Sequence, residues 1–135
     1  MNNSGKGKRL EIANQIINLI ANRGRRFFYN SRDGEISHFL VKKKRIYFKD
    51  KYTKDEVLSY SYKQLAKGMS SGGTLMALVL DMSEWIRTGK YTNGKNGYGG
   101  LFCDHWGYSE EDMKDIRQFA CNMGYLQGES YETEA

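Results

Sequence analysis

Apolar residues recur at three- and four-residue spacing through Leu75, Leu78, Val79, Met82, Trp85 and Ile86, the pattern of a buried helical face. Met76 and Leu80 widen that face, so the spacing predicts a helix covered on most sides. Ser70-Ser71-Gly72-Gly73 stands in front of it, Thr74 is the expected starting residue, and Gly89 marks its end. A second helical pattern runs from Lys8 to about Asn22, with Leu10, Ala13, Ile16, Ile17 and Ile20 on one face and Gly24 as its stop. A third is capped by Ser109 and spans Glu110 to Asn122. Asp112 takes its capping-box position, and Met113, Ile116, Phe119, Ala120 and Met123 form its apolar face.

Between the first two helices the period changes to two. Arg26 to Asn30 reads as a strand, Ser31-Arg32-Asp33-Gly34 as a tight turn, and Glu35 to Val41 as a second strand. Lys42 to Arg45 is a charged connection to a third strand, Ile46 to Lys49. Residues 53–66 admit two readings. Thr53-Lys54-Asp55-Glu56 matches a capping box and favours a helix, whereas Val57, Tyr60 and Tyr62 suit a fourth strand. The strand is preferred because it completes an antiparallel meander. Lys90 to Tyr108 is a glycine-rich loop of a length that compact domains seldom keep without a use. The predicted architecture is one α+β domain over residues 8–126: an N-terminal helix, a meander of three or four strands, then two C-terminal helices packed on the sheet. Residues 1–7 are expected to form a mobile arm and 127–135 an acidic disordered tail.

Composition sharpens this picture at three points. With 39% hydrophobic and 27% charged residues over 135 positions, the chain can bury a core without staples and is not a disordered polymer. It carries no apolar run long enough to cross a bilayer and no leader-like N-terminus, so a cytoplasmic protein is expected, with Cys103 and Cys121 as reduced thiols. The formal charge of +5 is unevenly placed. Residues 1–68 hold sixteen Lys/Arg against six Asp/Glu, while residues 69–135 hold five against ten. Such polarity points to a polyanion-facing half and an acidic half that faces away or meets a basic partner.

The candidate chemistry follows from that basic half. Arg25, Arg26, Arg32, Lys42, Lys43, Lys44, Arg45 and Lys49 alternate with aromatic residues, among them Tyr47 and Tyr52. Cations and rings on one sheet face suit phosphates and stacked bases, though the same pattern arises when rings build a core and lysines solubilise the outside. Ser71, Gly72, Gly73 and Thr74 offer backbone N–H groups at a helix N-terminus and are candidate phosphate contacts, or an ordinary sharp turn and cap. They form neither a Walker A loop nor a dinucleotide fingerprint. His105 is a weak catalytic candidate, with Asp81 and Asp104 as acids that would have to converge on it. Cys103, His105, Cys121 and His38 have no standard zinc spacing, so no metal and no cofactor is expected.

The Ser71–Thr74 entry to an apolar helix, followed by His105-Trp106-Gly107-Tyr108 before an acid-capped helix, resembles small accessory proteins encoded by bacteriophages. That resemblance implies a role in the bacterial host cell, on nucleic-acid machinery or host defence. The leading expectation is therefore non-enzymatic binding of DNA or RNA, or of a nucleic-acid-bound host protein complex. Second stands an anti-CRISPR-like inhibitor acting through protein contacts, and third a small metal- or histidine-dependent nuclease.

Overall fold

The computed structural model describes residues 2–70, 72–92, 94–97, 100–103 and 106–126, with the side chains from residue 5 onward. Helix α1 (Asn2–Ala21) is followed by a two-stranded sheet, β1 (Tyr29–Asn30) and β2 (Glu35–Ile36). A three-stranded sheet comes next, formed by β3 (His38–Lys42), β4 (Arg45–Lys49) and β5 (Glu56–Leu58) in that order. Helices α2 (Tyr62–Gly68), α3 (Gly73–Thr88) and α4 (Glu110–Asn122) follow, with a short 3-10 turn at Gly100–Phe102. Both sheets are antiparallel, and the α+β class expected from the sequence holds.

The expected single meander is two sheets. Arg26 and Phe28 adopt left-handed backbone, with φ of 55° and 72°, so the run from Arg26 turns before it extends. Only Tyr29 and Asn30 pair with β2. The strand expected over Glu35 to Val41 breaks at Ser37, which is buried and changes partners. Its N–H donates to Phe28 O at 2.9 Å and its hydroxyl accepts from Lys51 N at 3.1 Å. Residues before Ser37 pair with β1 and residues after it with β4.

Residues 53–66 contain both of the expected alternatives in sequence. Glu56–Leu58 is a strand, and Ser61 then caps α2 by accepting from Gln64 N at 3.3 Å. The capping residue is thus Ser61 rather than Thr53. A third helix therefore accompanies the two expected after the sheet. The first helix begins at Asn2, earlier than the expected Lys8.

Helix α3 lies at the centre, buried through Leu75, Ala77, Leu78, Val79, Met82, Trp85 and Ile86, and packs against α1, α2 and the sheet. Its polar buried residues are satisfied locally: Ser83 shares a 2.8 Å hydrogen bond with Ser59, whose hydroxyl donates to Ile46 O. Gly89 ends it at φ 76°, and Arg9 of α1 donates to Ile86 O at 3.0 Å, a cation at the negative end of the helix dipole. Asn14 of α1 covers the free edge of β3 by bonding both backbone groups of Phe39, at 2.6 and 3.1 Å. Helix α4 matches its expected bounds, with Ser109 accepting from Asp112 N at 3.1 Å.

Candidate nucleic-acid interface

The connection from α1 to β1 builds one wall of a surface furrow. Left-handed backbone at Arg26 and Phe28 sends the Phe28 ring into the core and leaves Arg25 and Arg26 exposed. The Arg26 guanidinium lies 3.7 Å from the Tyr29 ring centroid, and its Nε donates to Ala21 O at 3.4 Å. The Arg25 guanidinium lies 5.1 Å from the Phe27 centroid. Ring stacking of this kind orients a guanidinium without using up its five N–H donors.

The facing wall is the 50–54 loop, which carries Tyr52. Lys51 O accepts from Asn30 Nδ2 at 2.8 Å, Thr53 Oγ1 donates to Gly68 O at 2.8 Å, and the Tyr52 hydroxyl donates to Tyr29 O. Buried Asp50 accepts from Tyr52 N at 3.0 Å and from Ser70 N, tying the loop to the approach of α3. Tyr52 is thus an exposed ring, at 43%, on a loop stitched down on several sides.

The floor is the first turn of α3. Gly72 is its N-cap and makes no side-chain cap bond, and Met76 N to Gly72 O at 3.0 Å is a first rung of the helix. Thr74, expected to start the helix, sits one residue inside it because Gly73 already has helical geometry. Arg25, Arg26, Phe27, Tyr52, Gly72 and Leu75 line a depression of about 470 Å³. A second of about 190 Å³ adjoins it, where Gly73 and Thr74 join Arg25. The furrow therefore unites Arg25, Arg26, Tyr52, Gly72, Gly73 and Thr74, candidates far apart in sequence. The positive end of the α3 dipole adds to the two guanidiniums.

The remaining candidates gather elsewhere. Lys42 and Arg45 pair across the β3–β4 hairpin, and Lys43 and Lys44 form its two-residue turn, with φ of 52° and 68°. All four are exposed, beside Val41 at 47% exposure. This tip lies at the end of the ladder away from Lys49 and the 50–54 loop, about 14 Å along strands rising roughly 3.4 Å per residue. Tyr47 is half-buried, paired with Leu40 and Leu58, with the Lys42 ammonium 5.6 Å from its ring. Arg32 stands exposed in the β1–β2 turn.

Two of the candidate cations, Lys42 and Lys49, and their neighbours Lys51 and Lys54 are already matched. Glu56 pairs with Lys42 at 2.5 Å and Lys49 at 3.8 Å, Glu35 with Lys51 at 2.8 Å, and Asp33 with Lys54. The hydrogen bond from Lys42 holds the Glu56 carboxyl below its ordinary range, and the same bond raises Lys42. Hydrogen bonds from Lys54 and Lys51 likewise lower Asp33 and Glu35. Among the described residues Arg25, Arg26, Arg32, Lys43, Lys44 and Arg45 form no ion pair. The candidate set thus divides into a furrow and a hairpin tip, with Lys42 and Lys49 partly neutralised.

Ser71, Asp104 and His105 lie outside the described residues, as does the stretch 127–135. Asp81, the remaining candidate acid, is engaged structurally. It is fully buried in α3 and accepts from Gly94 N at 2.8 Å, Asn96 N at 3.0 Å and Asn96 Nδ2 at 2.5 Å. Among the described residues no three His, Cys, Asp or Glu side chains gather as metal ligands. No described helix is long and apolar enough to cross a membrane.

The family model of YoqU matches residues 3–134. The chain belongs to the YoqU family. It is similar to the SPbeta prophage-derived uncharacterized protein YoqU of Bacillus subtilis (strain 168), at 33% identity over 132 residues that cover 97% of this chain and 92% of the relative. A prophage-derived relative over nearly the full length agrees with the bacteriophage resemblance of the sequence. No solved structure matches.

Proposed function

We propose that this YoqU-family chain is a small non-enzymatic nucleic-acid-binding accessory protein. The observation that carries the reading is the furrow, in which Arg25 and Arg26 stand without acidic partners among the described residues, beside the first turn of α3 and opposite the Tyr52 ring. Guanidiniums without acidic partners supply phosphate contacts and set salt dependence, while an exposed ring held on a fixed loop supplies a face for a base. The Lys43-Lys44 tip adds a second cationic contact, so a polyanion reaching from furrow to tip meets charge at both ends of the β3–β4 ladder.

Fluorescence anisotropy with a labelled oligonucleotide tests this at low salt. Arg25→Ala with Arg26→Ala weakens binding about tenfold or more. It also lowers the slope of log affinity against log salt by roughly 1.4 to 1.8, from about 0.7 to 0.9 per phosphate contact. No binding by the intact chain at low salt refutes the reading. The alternative is capture of a host protein complex by the same cations. Retrieval of one partner from host lysate, undiminished by nuclease digestion, would select it.

A further inference from the structure

The furrow continues beyond Arg25. A third depression, about 490 Å³, has Trp106, Tyr108, Glu110, Met113, Lys114 and Arg117 among its lining residues. Trp106 belongs both to this depression and to the 190 Å³ one, and Arg25, Phe27, Gly72 and Leu75 belong both to that one and to the 470 Å³ one. The three depressions therefore adjoin one another in a course from Lys114 to Tyr52, with the buried Trp106 and the Arg25 side chain standing between them.

The middle of that course is rigid. Phe27, Trp106 and Tyr108 pack ring on ring at centroid distances of 5.5 to 5.8 Å. The Tyr108 hydroxyl donates to Ile20 O at 2.9 Å and accepts from Phe27 N at 3.3 Å, which fixes the cluster to the end of α1. Arg25 lies across the junction, its Nη1 3.5 Å from Trp106 O. Gly107 makes room for it: at φ 72° a Cβ there would stand 2.7 Å from the Arg25 guanidinium. Arg117 donates to Leu101 O at 2.7 Å and braces the far wall.

We propose that this course of adjoining depressions is a binding channel for one strand of nucleic acid, running from Lys114 past Arg25 and Arg26 to Tyr52. The inference rests on the nucleic-acid reading above and specifies its ligand as single-stranded. Lys114, Arg25 and Arg26 space positive charge along the course, against Glu110 as the acid lining it among the described residues, so charge favours a polyanion over an acidic-residue-poor protein surface. Exposed Tyr52 provides a ring face at one end, while Phe27 and Tyr108, stacked on each other, form a fixed wall, and base stacking tolerates any sequence. The shape decides between strand and duplex. A duplex is read by a helix or ribbon that stands proud enough to enter a major groove about 12 Å wide, whereas a concave course admits a chain whose bases are free to turn inward.

The test is competition on the full chain between a labelled twenty-nucleotide oligothymidine and a duplex of the same length. The expected result is preference for the single strand by about tenfold or more. Lys114→Glu is expected to weaken the single strand by about fivefold to tenfold, and Lys63→Glu, on the exposed face of α2, to leave it unchanged. Equal or tighter binding of the duplex overturns the channel while leaving nucleic-acid binding standing. So does an unchanged affinity in Lys114→Glu when Arg25→Ala lowers it. Polyglutamate bound as tightly as the oligonucleotide overturns both readings, because stacking would then contribute nothing. Far-UV circular dichroism of each variant separates lost contact from lost fold.

Discussion

Asp81 shows how one residue's role depends on a partner that no spacing announces. Among apolar neighbours on a buried helix it reads from sequence as a stray acid, and only as a remote companion for His105. Its carboxylate instead receives three N–H donors from Gly94 and Asn96, while its own carbonyl accepts from Thr92 Oγ1 at 2.8 Å. Gly94 and Asn96 of the long loop thus supply donors to a carboxylate inside α3. Burial pushes the Asp81 carboxyl above its ordinary value, and the bonds from Asn96 and Gly94 offset only part of that. A raised value in the folded state means the folded chain holds this proton more readily than the unfolded chain. Its contribution to stability therefore falls as pH rises from the usual aspartate range, near 3.9, through the raised value. Asp81→Ala strands the loop donors and is expected to destabilise by about 2–4 kcal/mol, since each buried group left unpaired costs roughly 1–3. Urea midpoints across pH 4 to 7 check both statements, and the variant should lose this component of the pH dependence.

At the scale of elements, periodicity gave the long helices well and the short strands poorly. Glu110 to Asn122 was legible in full because a capped, acid-led, 3.6-period stretch has few competing conformations. Of the strands, Ile46 to Lys49 was legible and lies within β4, but the ends of the earlier ones are set by Ser37 switching partners and by left-handed residues that a pattern of rings and cations cannot reveal. The β3–β4 hairpin carries the clearest cost. Two lysines hold positive φ in a two-residue turn that asparagine and glycine occupy more readily. Lys43→Asn with Lys44→Gly should raise stability by roughly 1–2 kcal/mol, the relief of left-handed backbone at two residues. If the tip meets phosphates, the same variant lowers the salt slope by roughly 1.4 to 1.8. Glu56→Gln acts in the other sense by releasing Lys42 and Lys49, and should tighten oligonucleotide binding at low salt by about twofold or threefold. Because Glu56 is lowered in the folded chain, the stability of its pairs is present above the usual glutamate range. It is lost as pH falls through the lowered value.

At the scale of the whole molecule, the basic and acidic halves do not simply face apart. Arg23 at the end of α1 pairs with Asp115 at 2.7 Å and with Asp112 at 3.5 Å, so part of the acidic half is spent on holding α4 to α1. The furrow was only half legible for the same reason: Arg25 and Tyr52 belong to the basic run, but Trp106 and Lys114 come from the acidic half. Nothing in their spacing brings them to one surface. What does so is a single core in which Ile16 and Ile20 of α1, Phe39 and Phe48 of the sheet, Leu78 and Met82 of α3, and Ile116 of α4 form one buried cluster. A core shared among α1, the three-stranded sheet, α3 and α4 has no seam along which the basic half can come apart alone. Trp85 and Trp106 sit inside it at 4% and 2% exposure, at the helix centre and at the furrow. Urea unfolding followed by tryptophan fluorescence should therefore coincide with loss of helix by circular dichroism, in one transition. A fluorescence transition preceding the loss of helix would mean that the furrow opens as a separate unit. Arg25 would then not be held across a fixed wall, and the channel would lack the rigidity on which its preference for a single strand depends.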